Sequence, residues 1–291
     1  MKHFIQQIYS ILKPGLAGAV LLTIFPGLFS GGSVPSLSLV ILTVTGTGFL
    51  AMSSFAYNQI YEQPLDALMN RTRDRVLPSG KHTIIFMHVL GSTMLAAGLF
   101  ILGFYVNLLA AGLALLSFLY YVFIYTMILK PSTRHSTVLG GLSGAIGPLV
   151  GQAAVLNSLN LFGILMFTLM MLWQPPHFWA LAFYLKEDYR RGNVPVLPVV
   201  SDIRETTANM IFYQVLLLLF TGLIFWLNMA GLLYTIPSLL LGGIVLTMIF
   251  ALRKHPSEVL ARRIFLVTIL HVIVWNLVLT ADLWLRLKSV I

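Results

Sequence analysis

The sequence contains no cysteine among its 291 residues. Disulfide bonds, thiolate metal ligands and cysteine nucleophiles are therefore excluded. Charged residues are also scarce: they make up 9% of the chain, whereas a soluble domain usually carries about 25%. Hydrophobic residues account for 58%. A soluble fold of this length could not bury so much apolar surface, so the composition predicts a protein that lies in the lipid bilayer.

Long apolar runs divide the chain into about nine candidate transmembrane helices. One crossing needs about 20 apolar residues, and short polar links around residues 107, 157–160 and 229–231 separate runs that would otherwise be too long. The pattern predicts an all-α, polytopic membrane protein whose single domain, residues 1–291, forms one bundle. The predicted spans are 11–29, 37–61, 83–105, 107–129, 137–156, 160–185, 209–229, 231–252 and 264–285.

The basic residues predict the orientation of this bundle. With a cytoplasmic N-terminus, 16 of the 18 lysines and arginines fall on the cytoplasmic side, and only Arg286 and Lys288 do not. This is the positive-inside rule, which explains the net charge of +9 without a nucleic-acid partner. The first apolar run, from Ile11, has no small-residue cleavage site, so we expect no cleavable presequence. We expect a multi-pass protein of a bacterial plasma (inner) membrane.

The loop after the second span combines acidic and basic residues. Asn58, Glu62 and Asp66 have the spacing i, i+4, i+8, which places them in one stripe if the helix continues. Carboxylate and amide oxygens are hard ligands that suit Mg²⁺, and the guanidinium groups of Arg71 and Arg75 suit phosphate oxygens. Pro64 interrupts the stripe and predicts a helix break. The pattern indicates either a metal-bridged diphosphate site or a solvated loop whose acids pair with its own arginines.

The loop after the sixth span has a similar composition. Pro175, Pro176 and His177 lie within the apolar run, where a polar side chain is costly. His177 is therefore either a packed, hydrogen-bonded residue or a functional one. Lys186 and Asp188 follow at the cytoplasmic end, and with the neighbouring charges they predict either a second phosphate-binding lobe or a solvated surface.

These two segments resemble a known family. Asn58 to Asp66, followed by Asp66-Ala-Leu-Met-x-Arg71-Thr, is similar to the first aspartate-rich motif of the UbiA-type intramembrane prenyltransferases. Pro176-His-Phe-x-x-Leu-Ala, then Asp188-Tyr, then Val194-Pro-x-Leu-Pro-Val resembles the signature of the protohaem IX farnesyltransferases (haem O synthases) within that superfamily. The second run is the more specific one, because quinone-directed members carry an aspartate-rich motif instead. Smaller matches extend the resemblance over residues 12–200.

The chain also departs from the family pattern. Glu62 stands where aspartate is frequent and keeps the carboxylate, whereas Pro64 stands where a further aspartate is frequent. Val76 replaces a proline, and Pro131 and Ser136 replace an arginine and an asparagine. A carboxylate role at position 64 and substrate contacts at positions 131 and 136 are therefore not transferred to this chain.

The resemblance implies a reaction and its substrates. A farnesyl group passes from farnesyl diphosphate to a vinyl group of protohaem IX, and haem O and diphosphate are formed. Mg²⁺ is the implied cofactor and haem is a substrate, with haem A synthase or a terminal oxidase assembly as a further candidate partner. We predict metal ligation by Asn58, Glu62, Asp66 and Asp188. The predicted contacts to the diphosphate are Arg71, Arg75, Lys130 and Lys186.

The remaining predicted contacts are apolar or aromatic. His177 is expected to orient haem. The farnesyl chain is expected against Phe55, Tyr57, Tyr121, Tyr125, Trp173, Phe178 and Trp179. Aromatic faces can stabilise an allylic cation.

Two other functions remain open from the sequence. One is a UbiA-type transferase that acts on a quinone precursor or another acceptor, against which the segment around His177 argues. The other is a membrane transporter, which predicts polar residues through the bilayer midplane. Here the charges gather at one end of the spans, and Mg²⁺-dependent release of diphosphate would exclude transport.

Overall fold

The structure is a computed structural model that describes residues 2–289, and within them helices are the only regular secondary structure. The all-α fold is therefore confirmed. The helices are α1 Lys2–Leu12, α2 Pro14–Leu22, α3 Phe25–Leu28, α4 Leu37–Tyr61, α5 Gln63–Leu68, α6 Ile84–Val106, α7 Leu108–Ser132, α8 Ser136–Leu156, α9 Leu161–Tyr184, α10 Lys186–Arg191, α11 Leu197–Val200, α12 Ile203–Trp226, α13 Leu232–Lys254 and α14 Glu258–Ser289.

Helix starts are set by polar residues between the apolar runs. A capping side chain accepts a hydrogen bond from a backbone N–H two or three residues later, so one of the unpaired donors of the first turn gains a partner. In lipid such pairing matters more than in water, because no solvent replaces it. The capping residues are Ser36, Thr83, Asn107, Asn160 and Asp202.

Eight of these helices, within residues 2–289, are long and apolar enough to cross a membrane unbroken. About nine were predicted, and the difference lies in the first span, 11–29. Lys13 adopts a left-handed conformation with φ 46° and separates α1 from α2, and a turn at Thr23 and Ile24 separates α2 from α3. Pro14 and Pro26 each lie in the first turn of a new helix, because a proline lacks the N–H that a continuing helix needs.

The broken first segment still runs from one end of the bundle to the other. Lys13 interacts electrostatically with Glu62 and Asp66 at one end. Gly31 lies against Val155, near the opposite end of α8. The first crossing is therefore made by α2 and α3 together rather than by one straight helix.

Two hydrophobic cores support the helices that lead to the charged loops. One lies between α3, α7 and α8, and includes Leu28, Phe118 and Val150. The other lies between α9, α12 and α14, and includes Leu169 and Leu217. Because α4, α7 and α9 all end at the same end of the bundle, their terminal residues meet there. We call this end, which carries Lys13, Glu62, Lys130 and Asp188, the charged rim.

Candidate active site

The stripe of Asn58, Glu62 and Asp66 forms across a helix break. Helix α4 ends at Tyr61 and α5 begins at Gln63 with Pro64 in its first turn, so the predicted break is confirmed. Helical hydrogen bonds nevertheless continue, from Glu62 N to Asn58 O at 2.9 Å and from Asp66 N to Glu62 O at 2.7 Å. All three residues are buried, with at most 5% of their surface exposed. The predicted alignment is thus present although the helix is not continuous.

Two cations pair with these buried carboxylates. Arg75 places Nη1 2.6 Å from Asp66 Oδ2 and 3.8 Å from Glu62 Oε2. Lys130, at the end of α7, donates a hydrogen bond from Nζ to Glu62 Oε1. The loop after the second span and the end of α7 therefore meet at Glu62, and predicted residues from separate segments form one cluster.

The turn after α5 brings Arg75 back to the stripe. Thr72 Oγ1 donates to Asp66 O at 3.0 Å, and Arg75 N donates to Thr72 O at 3.0 Å. Met69, at the start of this turn, is only 2% exposed. We call residues 69–75 the arginine turn. Its backbone contacts with Asp66 explain why a guanidinium nine residues away in the sequence reaches the same carboxylate.

A third cation, Lys13, was not predicted as part of the site. Its Nζ lies 5.9 Å from the centroid of the Phe55 ring on α4. Burial, followed by the charge of Arg75, lowers the pKa of Lys13 to about 8, and Glu62 and Asp66 oppose this shift. The available sequence signal was the Lys13-Pro14 pair at the start of the first apolar run. A lysine there also satisfies the positive-inside rule, which hides its proximity to the carboxylates.

The two carboxylates experience different balances of burial and charge. Burial alone would raise the pKa of Glu62, but the Lys130 ammonium, the amide of Asn58 and Arg75 together lower it. For Asp66 burial dominates over the stabilising charge of Arg75, and the neighbouring Glu62 adds to the effect, so the pKa of Asp66 is raised. Arg75 is shared between both carboxylates, so its charge offsets only part of the effect of burial on the pKa of Asp66.

Helix α7 presents a polar and aromatic face to this cluster. Residues Tyr120–Leu129 form a π-helix, whose wider turn aligns residues four or five apart. Thr126 Oγ1 accepts from Asn58 Nδ2 at 3.1 Å, which orients the amide of Asn58. Tyr125 lies within electrostatic reach of Lys130, as does Tyr189 of α10. Tyr189 was not predicted, because a tyrosine beside charged residues carries no distinct signal.

Only part of the predicted aromatic lining lies at the cluster. Tyr121 packs edge-on to Phe55 at 6.3 Å and tilts against Tyr125 at 5.4 Å. Tyr57 instead packs against Phe118, and Trp179 belongs to a separate core with Tyr213. Helical spacing alone could not distinguish these two groups.

Asp188 lies at the charged rim but is turned towards the arginine turn. Its Oδ1 accepts from Asn70 N at 3.2 Å and its Oδ2 from Arg71 N at 3.1 Å. Among residues 2–289 no three His, Asp or Glu side chains converge into a group that could hold a metal ion. Glu62 and Asp66 are the two carboxylates of the buried cluster, and metal ligation by them or by Asp188 stays a prediction.

Lys186 begins α10, and the charges of Arg190 and Glu187 act on it. Burial, ahead of the neighbouring Arg190, lowers the pKa of Lys186. The structure places Lys186 beside other charges of its own short helix, and its predicted contact with a diphosphate stays a prediction.

His177 and Trp173 lie apart from the carboxylates, between α9 and α14. The imidazole stacks between the rings of Trp173 at 4.5 Å and Phe265 at 4.6 Å. His177 Nδ1 lies 2.8 Å from Thr268 Oγ1, and Thr268 Oγ1 donates to Phe265 O at 2.7 Å. Two oxygens at 2.7 Å need a hydrogen between them, so the Thr268 hydrogen is used there and Nδ1 must be the donor to Thr268. Nε2 of His177 is then a hydrogen-bond or metal acceptor.

The oxygen atoms of the stripe fit a hard divalent cation. Asn58, Glu62 and Asp66 offer amide and carboxylate oxygens, and Mg²⁺ commonly binds through one or two carboxylates plus substrate phosphates. Two carboxylates face the three cations Lys13, Arg75 and Lys130. The cluster thus carries a net positive charge, which a divalent cation would increase. Such a site can bind a strongly anionic group.

Comparisons with known proteins agree with this chemistry. The model of the UbiA prenyltransferase family matches residues 20–277. A protohaem IX farnesyltransferase from Leptospira interrogans is 38% identical over 274 residues, which cover 94% of this chain and 95% of that protein.

Solved structures share the fold. A structure of digeranylgeranylglyceryl phosphate synthase has a TM-score of 0.78 at 17% identity, and covers 96% of this chain and 98% of its own. A UbiA homologue from Archaeoglobus fulgidus bound to DMAPP and Mg²⁺ has a TM-score of 0.70 at 12% identity, and covers 94% of this chain and 99% of its own.

Proposed function

The chain belongs to the UbiA prenyltransferase family, and we propose that it transfers a farnesyl group from farnesyl diphosphate to a vinyl group of protohaem IX. The products are haem O and diphosphate. The observation that carries this function is the full-length similarity to a protohaem IX farnesyltransferase, together with a buried, net positive carboxylate cluster. The protein is thus a prenyltransferase of a multi-pass membrane fold.

The reaction breaks the C–O bond of farnesyl diphosphate, the π bond of the vinyl group and one O–H bond of water, and it forms one C–C and one C–O bond. The C–O bond of farnesyl diphosphate breaks, and diphosphate leaves with the electron pair. The terminal carbon of the haem vinyl group bonds to the allylic carbon, so positive charge passes to the vinyl carbon next to the ring. Water adds there and releases a proton to solvent, which leaves a hydroxyethylfarnesyl substituent.

The residues that would hold Mg²⁺ are Asn58, Glu62 and Asp66. When bound, the metal ion neutralises charge on the leaving diphosphate. The protein adds Lys13, Arg75 and Lys130 at the same place and Arg71 at its edge. Charge stabilisation of the leaving group by groups already in position is a large catalytic contribution, because they need not reorganise during the reaction.

Phe55, Tyr121 and Tyr125 are the proposed contacts of the first isoprene unit. Their rings lie next to the carboxylates, and their faces can stabilise an allylic cation. Below them a cavity of about 40 Å³ is lined by residues of α4, α7 and α8, including Ser54, which is one turn from Asn58. We place the farnesyl chain along this direction, into the apolar interior.

The haem contact is proposed at His177 and Trp173. With Nδ1 donating to Thr268, Nε2 is the ring nitrogen that can accept. Imidazole is a common ligand of haem iron. This assignment explains why a polar ring lies among aromatic side chains within a transmembrane helix.

We propose that the protein lies in a bacterial plasma (inner) membrane with the charged rim in the cytoplasm. The basic residues support this orientation through the positive-inside rule. Farnesyl diphosphate is water-soluble at its charged end, so a cytoplasmic rim receives it directly. Haem A synthase or a terminal oxidase assembly is the proposed recipient of haem O, and residues 1–291 act as one domain.

The test is a reaction in detergent with haem B, farnesyl diphosphate and Mg²⁺, with and without EDTA. We expect Mg²⁺-dependent release of diphosphate and a haem product whose mass has increased by farnesyl and hydroxyl. The Glu62→Gln variant, purified in the same way, serves as the inactive control. A prenylated quinone precursor with no haem product would overturn the haem assignment, and no diphosphate release with any acceptor would overturn the enzyme itself.

A further inference from the structure

The two loops of the charged rim are tied together by Asp188. The residue bonds with both carboxylate oxygens to consecutive backbone N–H groups of Asn70 and Arg71, which are 118 and 117 residues away in the sequence. Its side chain is only 12% exposed, and Arg191 lies 3.8 Å from its Oδ1. A carboxylate that accepts two backbone N–H groups makes charge-assisted hydrogen bonds, which are stronger than neutral ones.

A small apolar core lies beneath this tie. Met69, the first residue of the arginine turn, packs with Ala182, Val194 and Val196, all of them buried. Gly192, just after α10, faces Met69 so closely that a methyl group there would overlap the Met69 side chain. The arginine turn and the segment after α9 are thus matched in shape as well as in hydrogen bonding.

The arginine turn has contacts on two sides. Asp188 bonds to one side, and Asp66 lies against the other. Asn70 and Arg71 bond to Asp188, Thr72 bonds to the backbone of Asp66, and Arg75 pairs with the side chain of Asp66. Within the turn, Thr72 N and Arg73 N donate to Met69 O at 3.1 and 2.9 Å. Loss of the tie would therefore free Arg71 first and loosen Arg75 second.

We propose that Asp188 is a positioning residue: it holds the arginine turn so that Arg71 and Arg75 face the diphosphate, and it acts through the backbone of the turn rather than on the metal ion. The inference rests on the proposed function for its substrate, but the tie itself is a property of the fold. It differs from the ligand role predicted for Asp188, because it assigns the carboxylate to the backbone N–H groups of Asn70 and Arg71.

A double-mutant cycle separates these two roles. Asp188→Ala, Arg71→Ala and the double variant are compared with the wild type for the KM of farnesyl diphosphate, for kcat and for the Mg²⁺ concentration of half-maximal activity. We expect Asp188→Ala to raise the KM about tenfold, with kcat changed less than about twofold and the Mg²⁺ requirement unchanged. In the Arg71→Ala background the same substitution should raise the KM by a clearly smaller factor, because the Arg71 side chain is gone and only the effect through Arg75 is left.

Hydrogen exchange tests the tie without any turnover. The N–H groups of Asn70 and Arg71 should exchange faster in Asp188→Ala, and at an intermediate rate in Asp188→Asn, which keeps one acceptor oxygen. Asp202→Ala is the matched control, since Asp202 accepts from the backbone N–H of Glu205 at 2.7 Å and is outside the cluster. That variant should leave both exchange in the arginine turn and the KM unchanged.

The other possible results would each contradict the proposal, the tie or the proposed function. Independent effects of Asp188→Ala and Arg71→Ala, with a raised Mg²⁺ requirement, would make Asp188 a metal ligand and overturn the proposal. Unchanged exchange in the arginine turn would overturn the tie. If the wild type forms no haem product while exchange responds as expected, the proposed function fails and the tie stands.

Discussion

Glu62 and Lys130 form an ion pair at the charged rim although 68 residues separate them in the sequence. Glu62 follows α4 and Lys130 lies in the last turn of α7, so the pair joins the first loop to the middle of the chain. Both side chains are largely buried, at 6% and 16% exposure. In the proposed function, a diphosphate would meet at this pair a cation that is already largely desolvated.

Removal of the Glu62 charge should abolish most of the activity. Glu62→Gln keeps the shape but loses a proposed metal ligand and one partner of two cations, so we expect turnover to fall about 100-fold or more and the Mg²⁺ requirement to rise. Steady-state kinetics at varied Mg²⁺ measure both effects. Glu187→Gln is the matched control, because Glu187 is exposed and pairs with Arg190 within its own helix. Unchanged turnover in Glu62→Gln would contradict the assignment of the metal site.

Removal of Lys130 should destabilise the protein as well as inactivate it. Lys130→Met leaves the buried carboxylate of Glu62 with the amide of Asn58 and with Arg75, whose Nη1 lies 3.8 Å away. We expect a loss of about 2 kcal/mol, less than for a fully stranded charge, measured as a lower midpoint of thermal unfolding in detergent. Lys130→Met with Glu62→Gln should recover stability but not activity. Equal stability of the single and double variants would mean that the pair contributes little.

The pH dependence of substrate binding should report on Lys13. Its pKa is lowered to about 8, so its positive charge is lost between pH 7 and 9 in the free enzyme. We expect the KM of farnesyl diphosphate to rise up to about tenfold over this range, because an anion site loses a cation. In Lys13→Arg, which stays charged, that rise should be absent. An identical pH profile in the variant would show that another group titrates.

The lowered pKa of Lys13 also predicts how the stability of the protein changes with pH. A lysine whose folded pKa is below its unfolded value of 10.5 binds its proton more weakly in the native state. The free energy of unfolding should therefore increase as pH rises from about 8 towards 10.5, and Lys13→Met should remove that increase. Thermal unfolding midpoints at pH 7, 8, 9 and 10 test it.

The contact between His177 and Thr268 should affect haem but not the farnesyl donor. Thr268→Val removes the acceptor of His177 Nδ1, so the ring loses the bond that fixes its tautomer and orientation. We expect the KM of haem B to rise several-fold while the KM of farnesyl diphosphate stays unchanged. Thr280→Val is the control, since Thr280 also donates to a backbone carbonyl of α14, that of Asn276, but lies three turns away. Equal effects on both substrates would remove His177 from the haem site.

Several features of the site followed from the sequence because they depend on neighbours along the chain. The i, i+4, i+8 spacing predicted the stripe, and Pro64 predicted the break after Tyr61. Of the seven apolar-run helices from α6 onwards, five fall within about three residues of their predicted ranges, since the composition of the run sets them. The other two, α12 and α14, begin at Ile203 and Glu258, ahead of the predicted starts at 209 and 264. The first span differed, because its two prolines and the left-handed Lys13 break a segment whose hydropathy is uniform.

The sequence by itself determined that this is an all-helical membrane protein with its charges at one end, and its motifs pointed to the family. These properties depend on local composition, because exposing a polar group to lipid costs free energy wherever it lies in the chain. Only the tertiary structure decided that Lys13 and Tyr189 join the cluster, that Asp188 bonds to the arginine turn, and that His177 lies apart from the carboxylates. Those relationships join residues many positions apart, and the packing of helices sets them rather than any spacing along the chain.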